Sequence, residues 1–149
     1  MAKKERIMLN DAIISILKKQ VCFLGTSHDN VPRVRPMRPF VSEEGTVWLI
    51  SYTDTEKTRE IEANNTVELC AVDENSNVLR LQGKLAGEEK LPLEEKEKVR
   101  RKIVEELPGA ADFFAGYTDP RMAIFKFEIE NIIFRSLENV VRAELHFRK

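Results

Sequence analysis

Cysteine is nearly missing from this chain: only Cys22 and Cys70 occur in 149 residues. Two are too few for the disulfide framework that staples small secreted domains. Each lies in an apolar, strand-like run, so both are expected as buried thiols in a reducing compartment. An excess of one charge is also missing. Lys and Arg number 24 against 25 Asp and Glu, and the net charge of −1 supplies no overall field to draw nucleic acid or an anionic membrane. An anionic ligand must therefore be held by a local cluster. Long hydrophobic runs are absent too. Residues 1–6 are charged, and the apolar stretch after them is broken by Asn10, Asp11, Lys18 and Lys19. That fits neither a signal peptide nor a membrane span of about 20 apolar residues, so a cytoplasmic protein is expected. The two histidines, His28 and His146, are far apart, and there is no phosphate-cradling glycine loop, GxSxG, CxxC or HExxH. Neither a zinc site nor a side-chain nucleophile is indicated, and His28 reads as a turn residue.

What the chain does contain is strand pattern. At this length a single domain, residues 1–149, is expected. Apolar residues at helical spacing from Met8 to Leu17 predict an amphipathic helix over residues 5–19, packed as a lid. Val21 to Thr26, the turn formers Ser27 to Asn30 and the segment Val31 to Val41 predict a hairpin whose second strand carries Pro32, Pro36 and Pro39. Prolines belong on sheet edges, so that strand should have one side open. Thr46 to Ser51 predicts a central buried strand, Glu56 to Ala63 a short helix, and Thr66 to Val72 and Val78 to Ala86 two more strands. Pro92 to Leu107 predicts a surface helix and Ala110 to Gly116 a short one. Met122 to Glu130 reads as a strand, and Ile132 to Phe147 as one or two more, turning at Glu138-Asn139. The fold class is α+β, mainly antiparallel β.

Two segments carry chemistry. In Arg33-Val34-Arg35-Pro36-Met37-Arg38, period-two geometry puts Arg33 and Arg35 on one face with Met37, and Arg38 on the other. Guanidinium groups there answer either to an anion or to solvent, as charges and prolines that guard an edge against aggregation. In Ser51-Tyr52-Thr53-Asp54-Thr55-Glu56-Lys57-Thr58-Arg59 a strand ends and a helix starts. Free N–H groups, the Thr55 and Thr58 hydroxyls and Lys57 suit a phosphate monoester, and an ordinary helix capped by Thr55 answers the same description.

Taken in order, Gly25-Thr26, Pro32-Arg33-Val34-Arg35-Pro36-Met37, Gly45-Thr46-Val47-Trp48-Leu49, Thr55 to Ile61, Asn64-Asn65 and Val67-Glu68-Leu69 resemble the pyridoxamine 5'-phosphate oxidase-like family, in its general-stress-protein and nitroimidazole-resistance branch. The resemblance covers about residues 8–130. It implies a six- to seven-stranded split β-barrel with flanking helices, a homodimer, and FMN at the subunit interface. Residue by residue, it implies that Arg35, Pro36, Met37 and Arg38 contact the flavin and its phosphoribityl chain, with Ser51 and Tyr52 beside them. Thr55, Lys57 and Thr58 match the phosphate turn, and Arg80 and Gln82 fall where the fourth strand nears the flavin. Glu56 stands where the family's phosphate turn carries a basic residue. The substrate-binding arginine and histidine pattern of the oxidase is not recognisable in residues 139–147. The expectation is an FMN-dependent oxidoreductase with a small-molecule substrate and a nicotinamide or protein electron donor, in which the flavin carries the electrons and no residue is assigned as general acid or base. A flavin- or haem-binding sensor and a deazaflavin-dependent reductase are the alternatives.

Overall fold

The computed structural model describes residues 9–136. Helix α1 (Asp11–Lys19) begins where the Asn10 side chain accepts from the Ile13 N–H at 2.9 Å, and its Ile13, Ile16 and Leu17 are buried. Strands β1 (Cys22–His28) and β2 (Val31–Met37) meet at Asp29 and Asn30, both at positive φ, 51° and 63°. That is the left-handed pair a two-residue hairpin turn requires, and Asn and Asp tolerate it better than other side chains. Strands β3 (Phe40–Val41) and β4 (Val47–Tyr52) follow, then helix α2 (Glu56–Ala63) and strands β5 (Thr66–Val72) and β6 (Asn77–Gly87). A turn of 3-10 helix at Glu88–Lys90 leads to helices α3 (Leu93–Glu106) and α4 (Ala110–Phe113) and to strand β7 (Met122–Ser136).

The strands form one sheet in the order β2-β1-β5-β6-β7-β4-β3, every neighbouring pair antiparallel. β2 and β3 are its two edges, yet Met37 and Phe40 are only three residues apart in the chain. At 3.8 Å per residue the two edges lie within about 11 Å of each other, so the sheet must curl back on itself into an open barrel. This corrects one expectation. Val31 to Val41 is not one strand but two, on opposite edges, divided at Arg38-Pro39 where the chain steps across the opening. The Thr46 to Ser51 strand is deeply buried as expected, with Val47, Trp48 and Leu49 at most 1% exposed, but it sits next to the β3 edge rather than at the centre.

Inside the barrel, Leu24, Leu49, Leu69, Leu79, Leu81 and Phe127 form one cluster that also takes in Ile13, Ile16 and Leu17 of α1, so this helix does close the barrel. Each fully buried leucine there contributes about 1.5–3 kcal/mol. On the outer face of β4 and β7, α3 and α4 cover a second cluster of Trp48, Ile124, Met122, Val99, Ile103 and Phe114. Arg100, buried on α3, ties it down by donating to the carbonyls of Tyr117, Asp119 and Met122 and to Glu88.

The outer face of β2, β1, β5 and β6 stays open, and Phe23, Val34 and Val72 on it are 44%, 71% and 44% exposed. The cysteines separate across this sheet. Cys22 points into the core, where burial pushes its thiol up to about 11. Cys70, which pairs with Phe23, is half-buried on the open face, so only one of the two thiols is buried as expected. β7 also runs on through Asn131 to Ser136 instead of breaking there, because β6 pairs with it over its whole length with one register shift at Gln82/Gly83. The expected turn at Glu138-Asn139, the segment through Phe147 and His146 lie outside the described residues, as do residues 1–8.

Candidate cofactor site

Arg33 and Arg35 project from β2 on the face that carries Met37, as their spacing requires. Across from them α2 presents Glu60, whose side chain is 5% exposed. Arg35 donates from Nη2 to Glu60 Oε2 (2.8 Å) and from Nη1 to Thr26 Oγ1 (2.7 Å) and the Leu24 carbonyl (3.3 Å). Thr26 donates to the same Glu60 oxygen at 2.9 Å. Arg33 Nε pairs with Glu60 Oε1 at 2.8 Å, and its Nη2 with Glu56 Oε1 at 3.2 Å. Burial works to raise the Glu60 pKa. The hydrogen bonds from Thr26 and Arg35 and the charges of Arg35 and Arg33 outweigh it and hold this carboxyl below its ordinary value.

Beside this network a cleft of about 460 Å³ opens between β2 and the start of α2, lined by Arg33, Val34, Arg35, Thr55, Glu56, Lys57 and Glu60. Lys57 is the odd member. It makes no hydrogen bond or ion pair among the described residues, and burial, reinforced by the positive charge of Arg35, lowers its pKa from the ordinary lysine value. A half-buried ammonium without a counter-ion is costly to hold and gains most from an anion. The Glu56 and Lys57 N–H groups open α2 without an acceptor among the described residues, so they add to the same positive side. Arg33, Arg35 and Lys57 against Glu56 and Glu60 leave the cleft a charge of +1.

Of the residues singled out in the sequence, the structure brings Arg35, Thr55 and Lys57 together at this cleft. The hydroxyls turn inward. Thr55 Oγ1 caps the Thr58 N–H (3.3 Å) and touches Ser51 Oγ and Thr58 Oγ1, both at 3.0 Å, while Thr58, 1% exposed, donates to the Tyr52 carbonyl at 2.6 Å. Ser51 and Thr58 thus build the turn. Tyr52 points to the other face, its ring 5.0 Å from Phe114 and its hydroxyl donating to the Phe113 carbonyl. Met37 lies in the core, and Pro36 is exposed opposite Phe23. Arg38 donates to the Lys18 carbonyl at 3.3 Å. Arg80 and Gln82 lie on the open face, both bonded to Glu68, whose carboxyl the Arg80 hydrogen bond in particular holds below its ordinary value. Arg33, read in the sequence as part of the basic strand, joins them on the period-two face it shares with Arg35. Glu60 was not singled out: it follows Glu56 by one helical turn, but no spacing in the sequence sets it against β2.

His28 pairs with Asp29 at 3.2 Å at the hairpin tip. Among the described residues no cluster of His, Cys, Asp and Glu could hold a metal ion, and no helix is long and apolar enough to cross a membrane.

An open antiparallel barrel with a basic strand facing a strand-to-helix turn defines a split-barrel class of protein. A family model described as pyridoxamine 5'-phosphate oxidase matches residues 9–136, and the chain belongs to that oxidase-like family. No curated protein matches it in sequence. Among solved structures it is similar to a NimC/NimA family protein of Clostridium acetobutylicum, at 21% identity and a TM-score of 0.71, over 85% of this chain and 83% of that one. It is also similar to general stress protein 26 of Bacillus anthracis, at 17% identity and a TM-score of 0.65, covering 83% and 90% of the two chains. A candidate pyridoxamine 5'-phosphate oxidase of Listeria innocua matches at 24% identity and a TM-score of 0.65, covering 83% and 95%. At these identities the likeness to solved structures is one of fold.

Proposed function

We propose that the chain is an FMN-binding oxidoreductase of the cytoplasm, with the flavin phosphate seated at Lys57 between Arg33 and Arg35. The observation that carries this reading is Lys57 itself, a half-buried cation without a partner among the described residues, set in a cleft beside two arginines within a flavin-related fold. Arg33 and Arg35 each keep guanidinium donors beyond those spent on Glu56, Glu60, Thr26 and Leu24, since a guanidinium offers five. Such donors suit a phosphate bidentately. Bound there, the flavin supplies the electron transfer, and the protein anchors and orients it. The electron donor is a nicotinamide or a protein, and the acceptor a small electrophilic molecule.

A second copy of the chain is the proposed occupant of the open face of β2, β1, β5 and β6, where Phe23, Val34 and Val72 are exposed around the Glu68–Arg80 pair. Arg80 and Gln82 would reach a flavin only as part of such a dimer interface.

Lys57 separates a binding role from a structural one. Lys57→Ala should weaken FMN roughly ten- to a hundredfold, as loss of one charge-assisted contact implies, and leave riboflavin, which lacks the phosphate, unaffected. Its unfolding midpoint should not fall, because the wild-type lysine bears a desolvation cost that alanine removes. Titration of the purified protein with FMN, riboflavin, a deazaflavin and haem tests the reading. FMN uptake with preference over riboflavin supports it, and a protein that takes up none of the flavins, or takes up haem alone, overturns it.

A further inference from the structure

The cleft contains its own competitor for the phosphate. Glu56 opens α2 and reaches across the mouth of the cleft to Arg33 Nη2 at 3.2 Å, with its side chain 66% exposed. Glu60 behind it already engages Arg33 Nε and Arg35 Nη2. The first of these carboxylates can swing into solvent. The second cannot, since its side chain is 5% exposed and bonded on both oxygens. A phosphate monoester carries about −1.5 to −2 charges at neutral pH. It therefore enters a cleft of charge +1 and meets a carboxylate already on one of the arginines it needs.

We propose that Glu56 is a displaceable counter-ion that makes the flavin phosphate an exchangeable ligand, taken up and released, rather than a permanently retained group. This rests on the reading of the cleft as the phosphate site. The bound state exchanges the Glu56–Arg33 pair for a phosphate–Arg33 contact and leaves Glu56 facing solvent near the phosphate. Like charges at such a distance repel, which weakens the bound state and eases departure. Lys57 supplies the opposite bias, because among the described residues it alone of the three cations in the cleft has no internal anion to give up.

The test uses the whole chain with Glu56→Gln and Glu56→Lys. The position is exposed at a helix start, so both variants fold. FMN affinity, FMN release on exchange into flavin-free buffer, and riboflavin affinity are measured on each. The expected result is that wild type loses FMN on extended dialysis, Glu56→Gln binds it about tenfold tighter, Glu56→Lys tighter again with slower release, and riboflavin affinity stays constant throughout. Added salt should narrow the gap between wild type and Glu56→Lys. Two outcomes overturn the inference while leaving the phosphate site standing. One is near-stoichiometric retention of FMN by wild type through dialysis; the other is FMN preferred over riboflavin but unchanged in affinity by both substitutions. Equal affinity of wild type for FMN and riboflavin removes the phosphate site itself, and the inference with it.

Discussion

Glu60→Ala should cost about 3 kcal/mol of stability and, at the same time, tighten FMN binding. The two effects come from one carboxylate. Among the described residues Glu60 is the only anion behind Arg33 and Arg35, and it also accepts from Thr26, which is itself 4% exposed. Removing it leaves the Thr26 hydroxyl without its acceptor and two guanidinium groups without their internal counter-charge. The loss belongs at the lower end of the range for breaking a buried pair. Glu60 is covered chiefly by its own partners at the margin of a cleft, and Arg33 is half-exposed and can turn to water. A phosphate gains what the fold loses, because the cleft charge rises from +1 to +2. Stability by urea denaturation and affinity by flavin titration should therefore move in opposite directions. If both fall together, Glu60 serves the ligand by positioning the arginines more than it opposes it by charge.

The same carboxylate gives the stability a pH signature. Its folded-state pKa is lowered from the ordinary 4.5, so the stability it contributes is present above that value and is lost as pH falls through the folded value. Glu60→Gln keeps the shape and removes the charge. The stability gap between wild type and Glu60→Gln should be widest near neutrality and close as the solution is acidified well below pH 4.5. FMN binding has a limit at the other end of the scale. Lys57 titrates below its ordinary value in the free protein, and its neutral form cannot hold a phosphate, so affinity should fall on the alkaline side earlier than an exposed lysine would dictate.

Features set by a few neighbouring residues could be read from the sequence. Ser27 to Asn30 implied a turn, which the structure narrows to Asp29-Asn30, and Thr55 capping Glu56–Ala63 implied a helix with those bounds. Thr66–Val72 was legible because alternation and flanking turns agree there. What the sequence hid depends on closure of the barrel. Nothing local to Val31–Val41 tells that the chain changes edges at Arg38-Pro39, since the reason is where β3 pairs, with β4, on the far side of the sheet. The site divides in the same way. Arg35 and Lys57 carried a visible charge in a telling place. The inward turn of Ser51, Thr55 and Thr58 follows from mutual hydrogen bonds whose geometry no spacing rule contains. Glu60 became a member of the site only once α2 was packed against β1, with Thr26 beneath it.

Gly83→Ala should cost at least about 3 kcal/mol and prevent recovery of soluble protein, whereas Gly25→Ala on the open face should be tolerated. A methyl group at Gly83 would lie 2.0 Å from the Glu128 carbonyl oxygen and 3.0 Å from Ile129 Cα, both backbone atoms of β7. Backbone in a paired strand cannot rotate away as a side-chain tip can, so the strands must part. At Gly25 the added methyl group meets the Glu68 carbonyl at 3.6 Å, an ordinary contact. Gly83 sits at the register shift where Gln82 pairs with Asn131 and Gly83 with Ile129, leaving Glu130 extra on β7. Such bulges bend and twist a strand pair, and this one lies in the longest pairing of the sheet. That bend helps carry β7, β4 and β3 round towards β2. The closure in turn sets the start of α2, which follows β4, opposite Arg33 and Arg35. Equilibrium unfolding of Gly83→Ala beside Gly25→Ala checks the argument, and a Gly83→Ala protein within about 1 kcal/mol of wild type would mean that β6 and β7 can separate without cost at the point on which the cleft depends.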